Sequence, residues 1–344
     1  MQRYYPVIRV LSLVIVMFGL TMLVPLLLSW AMHDGAESAF DEAFLLTLGT
    51  GLGLWYATRK EKRDLTIRDG FLMVALVWTV LPVYAGLPLI IQLDASFTDA
   101  YFEAVSGLTT TGATVFEGLD GYPVSINFWR CQLVWLGGMG LIVLAVAILP
   151  LLGIGGRQMF KAETPGPMKD SKMTPRIAET AKGLWVVYTL ISICCVLGYR
   201  WAGMTWLDAI MHMFSTMGLG GFSSHDASFG FFDSPAIEAV SIVFMLIAGC
   251  NFATHFVVLS GRSLRPYASD PEAGRFLLVT LGSVVGIAIF LDVQEFYPTL
   301  LEALRYSAFN VVSIATTTGY ANTDYALWPF FAPLWMLFLS SFAT

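Results

Sequence analysis

Three short runs decide how this chain is read: Val105-Ser-Gly-Leu-Thr-Thr-Thr-Gly112-Ala, Phe214-Ser-Thr-Met-Gly-Leu-Gly-Gly221-Phe and Val312-Ser-Ile-Ala-Thr-Thr-Thr-Gly319-Tyr. Aligned on Gly112, Gly221 and Gly319, each carries a serine six residues upstream: Ser106, Ser215 and Ser313. The glycines lie 109 and 98 residues apart. A repeat this regular implies one structural unit used several times around a common axis.

The sequence around these runs is that of a membrane protein. Of its 344 residues 56% are hydrophobic and 13% charged, where an ordinary soluble domain carries about 25% charged residues. The net charge of −6 says little about partners, because the charges are unevenly placed. The four cysteines, Cys131, Cys194, Cys195 and Cys250, all sit in apolar runs and read as small hydrophobes rather than disulfides or metal ligands. The first apolar run, Val10 to Trp30, is too long for the core of a cleaved signal peptide.

A helix needs about 20 mostly apolar residues to cross a bilayer. Candidate spans are 10–31, 41–58, 70–92, 128–152, 183–203, 236–260, 276–292 and 328–344. The three special runs fall between spans three and four, five and six, and seven and eight. Each follows a short apolar stretch such as Phe97–Leu108 or Trp206–Met217, too short to cross. These stretches read as re-entrant half-helices followed by irregular backbone, which membranes tolerate only when buried in protein or lining a wet cavity. The connector from Gly153 to Lys182 is polar and holds no domain of its own.

Basic residues orient the chain. Of 19 Lys and Arg, 16 precede span one or lie between spans two and three, four and five, or six and seven. The positive-inside rule makes that side cytoplasmic, with the amino terminus on it. The three re-entrant segments then enter from the outer face. Trp55, Tyr56, Trp129, Trp201, Trp206 and Trp328 fall near the proposed interfaces, as an aromatic belt would. The expected fold is all-α and polytopic. Residues 1–65 form two leading helices, and 66–160, 161–265 and 266–344 form tandem helix–pore loop–helix repeats.

A cation leaving water needs its hydration oxygens replaced, and rings of backbone carbonyls do this without fixed charge. Carbonyls that all face inward require unusual backbone angles, which glycine reaches at little steric cost. Gly112, Gly221 and Gly319 fit that need, with Gly220 extending it in the second copy. The Thr109–Thr111 and Thr316–Thr318 runs offer hydroxyls as well as carbonyls. The bland alternative is that Ser/Thr/Gly clusters only help helices pack. Three copies in register, each between two spans, weigh against it.

These runs resemble the Trk/Ktr/HKT superfamily of potassium transporters, and the third run is similar to the Thr-Val-Gly-Tyr-Gly filter of potassium channels. The two leading helices point to the TrkH type. The resemblance implies four repeats around a pseudo-fourfold pore axis in the bacterial inner membrane, with potassium as the transported ion. It carries the potassium-binding filter onto Thr111, Gly112, Gly220, Gly221, Thr318 and Gly319, with Thr110, Leu219 and Thr317 supporting it. It further implies a homodimer in membrane lipid and a cytoplasmic TrkA-type nucleotide-binding regulatory subunit, with no organic cofactor and no nucleic acid. The family's fourth repeat is absent, and the chain stops at Thr344 inside the eighth span, so a truncated form is expected.

Other polar residues are weighed singly. Glu103, His212 and Asn310 share the position nine residues before the three glycines, which suggests hydrogen bonding behind the filter; direct ion binding at His212 is the alternative. Arg305 is either functional or a structural partner of Glu302 or Glu103. Arg130 and Arg200 are expected to snorkel to the interface. His225, Asp226 and Asp324 are either vestibule charges or solvated loop residues. Asn251, Thr254 and His255 read as inter-helix hydrogen-bonding groups. A sodium- or proton-coupled symporter with broken helices remains the competing function, although the repeats share one orientation. An enzyme is not expected, since no carboxylate pair or His/Glu cluster converges.

Overall fold

The computed structural model describes residues 4–61, 63, 66–140 and 177–341. Among them all regular structure is helical. They fall into two compact units, one of Met1–Thr109 with Tyr122–Trp185 and the other of Thr110–Gly121 with Val186–Thr344, over their described residues.

In the first unit, α1 (Tyr5–Thr21) and α2 (Leu23–Met32) form the first expected span, broken at Met22. The carbonyl of Thr21, freed at the break, accepts from Gln132 Nε2 at 3.1 Å. The next helix, α3 (Glu37–Thr58), packs against α1 through small residues. A Cβ on Gly19 would lie 3.2 Å from Thr47 Cγ2, and one on Gly51 would lie 2.8 Å from Val16 Cγ2. Small residues let membrane helices approach this closely. The third span is α4 (Ile67–Ala85) continued by α5 (Leu87–Leu93) after a break at Gly86, with Pro82 inside the helix. The Ala85 carbonyl at that break accepts from the indole of Trp129 at 2.9 Å. Trp129 is therefore core, not interfacial; it is fully buried against Phe18 and Phe40.

The first half-helix is α6 (Phe97–Leu108), followed after the loop by α7 (Val124–Trp135) and a π-helical turn, Leu136–Gly140. A Cβ on Gly137 would collide with the carbonyl oxygen of Leu108 at the end of α6. The second half of the fourth expected span, and the connector as far as Arg176, lie outside the described residues.

The chain resumes with α8 (Ile177–Ala202), the second half-helix α9 (Trp206–Gly218), and α10 (Pro235–Ala248) with α11 (Phe252–Gly261). The expected span 236–260 is thus not one helix: α10 and α11 meet at 90°. Gly249 and Cys250 end the first, and the Asn251 side chain caps the second by accepting from Ala253 N at 2.9 Å. His255 Nε2 reaches back at 2.9 Å to the Ile247 carbonyl, which also accepts from Cys250 N at 3.1 Å. Thr254 donates to Asp270 and His255 Nδ1 meets Tyr267 OH at 2.6 Å, so these polar residues do join helices. After α12 (Arg265–Ser269) come α13 (Pro271–Val293), the third half-helix α14 (Leu300–Ala315) and α15 (Phe331–Ser340).

Among the described residues, four stretches are long and apolar enough to cross a membrane: Tyr5–Met32, Arg68–Leu93, Ala181–Ala202 and Pro271–Val293; the bent α10–α11 pair would make a fifth. The fold is an all-α multi-pass membrane protein of tandem helix–pore segment–helix repeats. Trp201, Trp206, Trp55 and Tyr56 are exposed, as interfacial aromatics are, whereas Trp328 is buried and donates to Tyr297 OH at 3.0 Å.

Candidate ion-conducting site

Each half-helix starts the same way. Ser96, Thr205 and Thr299 accept from the backbone N–H three residues on, at Asp99, Asp208 and Glu302. These hydroxyl caps satisfy an amide that the helix itself leaves unpaired, and the acidic residue suits the helix dipole. The third helix begins one turn earlier than the others relative to its glycine, giving 16 residues against 12 and 13.

The three also end alike. Thr110, Leu219 and Thr317, each two residues before the aligned glycine, have φ of 55°, 54° and 58°. Left-handed geometry is the common stop of a helix, usually taken by glycine. A threonine there costs roughly 1–2 kcal/mol. Behind two of these caps the chain folds back identically: Gly220 N donates to Ser215 O at 3.0 Å and Thr318 N donates to Ser313 O at 2.8 Å. Gly112, Gly221 and Gly319 follow with φ of 76°, 64° and 87°, while Thr111, Gly220 and Thr318 between them stay out of the left-handed region. An isolated left-handed residue turns over the peptide that follows it. Two of them, spaced by one, redirect successive carbonyls from the alternation of a strand.

All three segments belong to the second unit, and there they meet. A Cβ on Gly112 would fall on the carbonyl oxygen of Gly220, and one on Gly221 would fall on that of Thr318. The first segment thus touches the second and the second touches the third, backbone to backbone. Gly319 is exposed, with nothing within 4 Å of a Cβ built there among the described residues. Thr318 turns its hydroxyl inward to Thr316 Oγ1 at 2.7 Å and is fully buried.

The position nine residues before each glycine is buried in all three copies. His212 Nδ1 faces the Asp208 carbonyl at 2.9 Å, so Nδ1 carries the proton of the neutral ring, and Nε2 accepts from Ser223 Oγ at 3.0 Å. Asn310 donates to Asn322 at 2.6 Å. Both therefore tie their half-helix to the chain just beyond the aligned glycine. Glu103 differs: its carboxylate receives Arg130 Nε and Nη2 at 2.8 and 2.6 Å. Arg130 does not snorkel. It is sealed in the first unit, because a buried carboxylate 27 residues upstream compensates its charge. Arg305 pairs neither with Glu302 nor with Glu103. It grips Glu238 with two nitrogens, at 2.7 and 2.9 Å, and Asp233 at 2.8 Å. Arg200 lies over the Trp206 ring at 5.5 Å.

Past the aligned glycines, His225 and Asp226 are engaged rather than free. His225 Nδ1 lies 2.5 Å from Asp120 and Nε2 lies 3.3 Å from Asp208, while the Asp226 carboxylate accepts from Gly118 N at 2.9 Å. Asp324 instead caps a short turn by accepting from Ala326 N at 3.1 Å. Sequence reasoning missed this joining of loops, although His225 and Asp226 were visible candidates.

Residues 36–343 match the family model TrkH, described as a cation transport protein. The chain is 49% identical over 338 residues to the Trk system potassium uptake protein TrkH of Salmonella typhimurium, covering 98% of this chain and 70% of that protein. It is 40% identical over 328 residues to the Trk system potassium uptake protein TrkG of Escherichia coli, covering 95% and 67%. The crystal structure of the potassium transporter TrkH from Vibrio parahaemolyticus superimposes with a TM-score of 0.86 at 44% identity, over 98% of this chain and 70% of that one. With three half-helices that each end in the same pair of left-handed residues, and matches of this extent, the chain belongs to the TrkH family of cation transport proteins.

Proposed function

We propose that this protein takes up potassium across the bacterial inner membrane, through a filter to which Thr111, Gly112, Gly220, Gly221, Thr318 and Gly319 contribute carbonyl oxygens. The observation that carries this reading is the repeated backbone: two left-handed residues spaced by one, three times, with the segments in contact at Gly112–Gly220 and Gly221–Thr318. Carbonyls so redirected can replace the water around a cation without adding charge. The carboxyl ends of α9 and α14, in the same unit, add the negative pole of the helix dipole beside them. Thr110, Leu219 and Thr317 hold the turns from which these segments start, and His212 and Asn310 brace them from behind.

The relatives' names, all potassium uptake proteins of Trk systems, supply the ion. By the same kinship we infer a dimer, a cytoplasmic TrkA-type nucleotide-binding subunit that gates conduction, and a cytoplasmic amino terminus. The distribution of Lys and Arg has all three half-helices enter from the outer face, which agrees with a shared axis and not with inverted repeats.

The test is growth. Expressed from its natural gene in bacteria lacking their own potassium uptake systems, the protein should restore growth on low potassium and accelerate rubidium influx. Verified membrane expression without either effect would refute the assignment.

A further inference from the structure

Only the third filter run continues into a residue with a hydroxyl. Tyr320 follows Gly319, where the first and second copies have Ala113 and Phe222. It is fully buried, and both ends are anchored. Its carbonyl accepts from Ser313 Oγ at 2.7 Å, which fixes it to its own half-helix, α14. Its hydroxyl donates to the carbonyl of His212 at 3.0 Å, in the half-helix of the second repeat, α9. A helical carbonyl has a second lone pair for such a bond. Thr216 Oγ1 lies 3.4 Å from the same hydroxyl and is itself held by Tyr199 OH at 2.7 Å. The ring packs on Phe229, with centroids 4.5 Å apart. By contrast, the hydroxyls of Ser106 and Ser215, in register with Ser313, are buried without a partner among the described residues.

The span of this tie matters. It starts one residue past Gly319 and ends on the helix that leads into Gly221. Across that boundary the Thr318 carbonyl closes on the Gly221 backbone. We propose that Tyr320 is a positioning residue for ion selection, locking the third filter segment to the second repeat's pore helix so that the junction keeps one width. This rests on the filter reading above. Potassium and sodium differ in the coordination distance they prefer, so a segment free to move inward would follow the smaller ion. Support of this kind decides how closely a binding constellation keeps its geometry.

The experiment is Tyr320→Phe, which keeps the ring and removes the hydroxyl, in protein expressed from its natural gene. Rubidium influx is measured with and without competing sodium and normalised to protein in the membrane. Loss of one hydrogen bond of ordinary strength should lower the potassium-over-sodium preference by about two- to tenfold. The maximal rate should change less than the preference. A purely structural role would lower the amount of protein and leave the ratio alone, and an unchanged ratio overturns the proposal. Should Tyr320→Phe fail to accumulate, Ser313→Ala removes the other anchor and is read by the same ratio: a fall supports the tie and constancy overturns it. Wild-type protein that moves no potassium would sink the filter reading, and this proposal with it.

Discussion

The carbonyl oxygen of Gly220 occupies the space that a Cβ on Gly112 would require. Gly112 is thus held to glycine twice, by its φ of 76° and by a neighbour that is backbone and cannot swing aside. Gly118 has nearly the same φ, 74°, but nothing within 4 Å of its added Cβ among the described residues. Gly118→Ala should therefore cost only the left-handed penalty, roughly 1–2 kcal/mol, and leave transport near normal. Gly112→Ser should abolish rubidium influx or relax the preference for potassium over sodium. Equal transport by the two variants would remove the reason for placing Gly112 in the filter.

Glu103 and Arg130 form an ion pair closed to solvent on both sides. Removing one partner of a buried pair strands the other, at a cost of about 3–5 kcal/mol. Arg130→Met should sharply lower the thermal midpoint of the purified protein. The double variant Arg130→Met with Glu103→Leu should recover part of the loss, since no charge is then left alone. Failure of the second change to restore anything would mean that the pair also satisfies groups beyond itself.

Arg305 offers a graded comparison. Its side chain is 25% exposed, and it shares its charge between Glu238 and Asp233. Water can partly replace it, so Arg305→Met should cost less, on the order of 1.5–3 kcal/mol. A midpoint loss exceeding that of Arg130→Met would show that exposure does not rank these two arginines.

How far the sequence foretold these features depends on distance along the chain. The glycines were legible because their demand is local: a backbone angle and a repeated spacing. The half-helices were legible for the same reason, being apolar runs too short to cross. Thr110, Leu219 and Thr317 were visible only as neighbours of the glycines. Their left-handed geometry was not, because threonine and leucine are poor residues for a helix stop and only the adjoining structure holds them there. Arg130 was misread because its carboxylate lies on another helix, and the structural pairing of Arg305 was given the wrong partners because Glu238 lies 67 residues away. The break of span 236–260 turns on Gly249 and Asn251, whose meaning depends on which backbone groups there can be satisfied.

Among the described residues, the loops that follow the first and second half-helices carry a titratable clasp that geometry and charge both single out. His225 lies between Asp120, in the loop after the first filter run, and Asp208 at the start of α9; the ring of His212 on the same helix is 6.3 Å away, centroid to centroid. Phe231 stacks on it and Phe232 packs edge-on, while the nearby Asp226 carboxylate is turned to Gly118. Burial alone would push the His225 pKa down, but the hydrogen bonds and charges of Asp208 and Asp120 outweigh it and raise the pKa above its usual value. The Asp120 pKa is lowered, first by its bond to His225. A raised histidine stabilises the clasp fully below its unfolded pKa, about 6.5, and the contribution is lost as pH climbs through the folded value. The depressed aspartate contributes above its own unfolded pKa of about 3.9 and fails only as pH falls through its folded value. The clasp is therefore strongest in mildly acidic medium and loosens towards alkaline pH. Amide hydrogen exchange over residues 113–121 and 222–228, corrected for intrinsic rates, should lose protection as pH rises past about 6.5. His225→Gln should start with low protection and show no such step. A step of the same size in both proteins would assign the titration to another group.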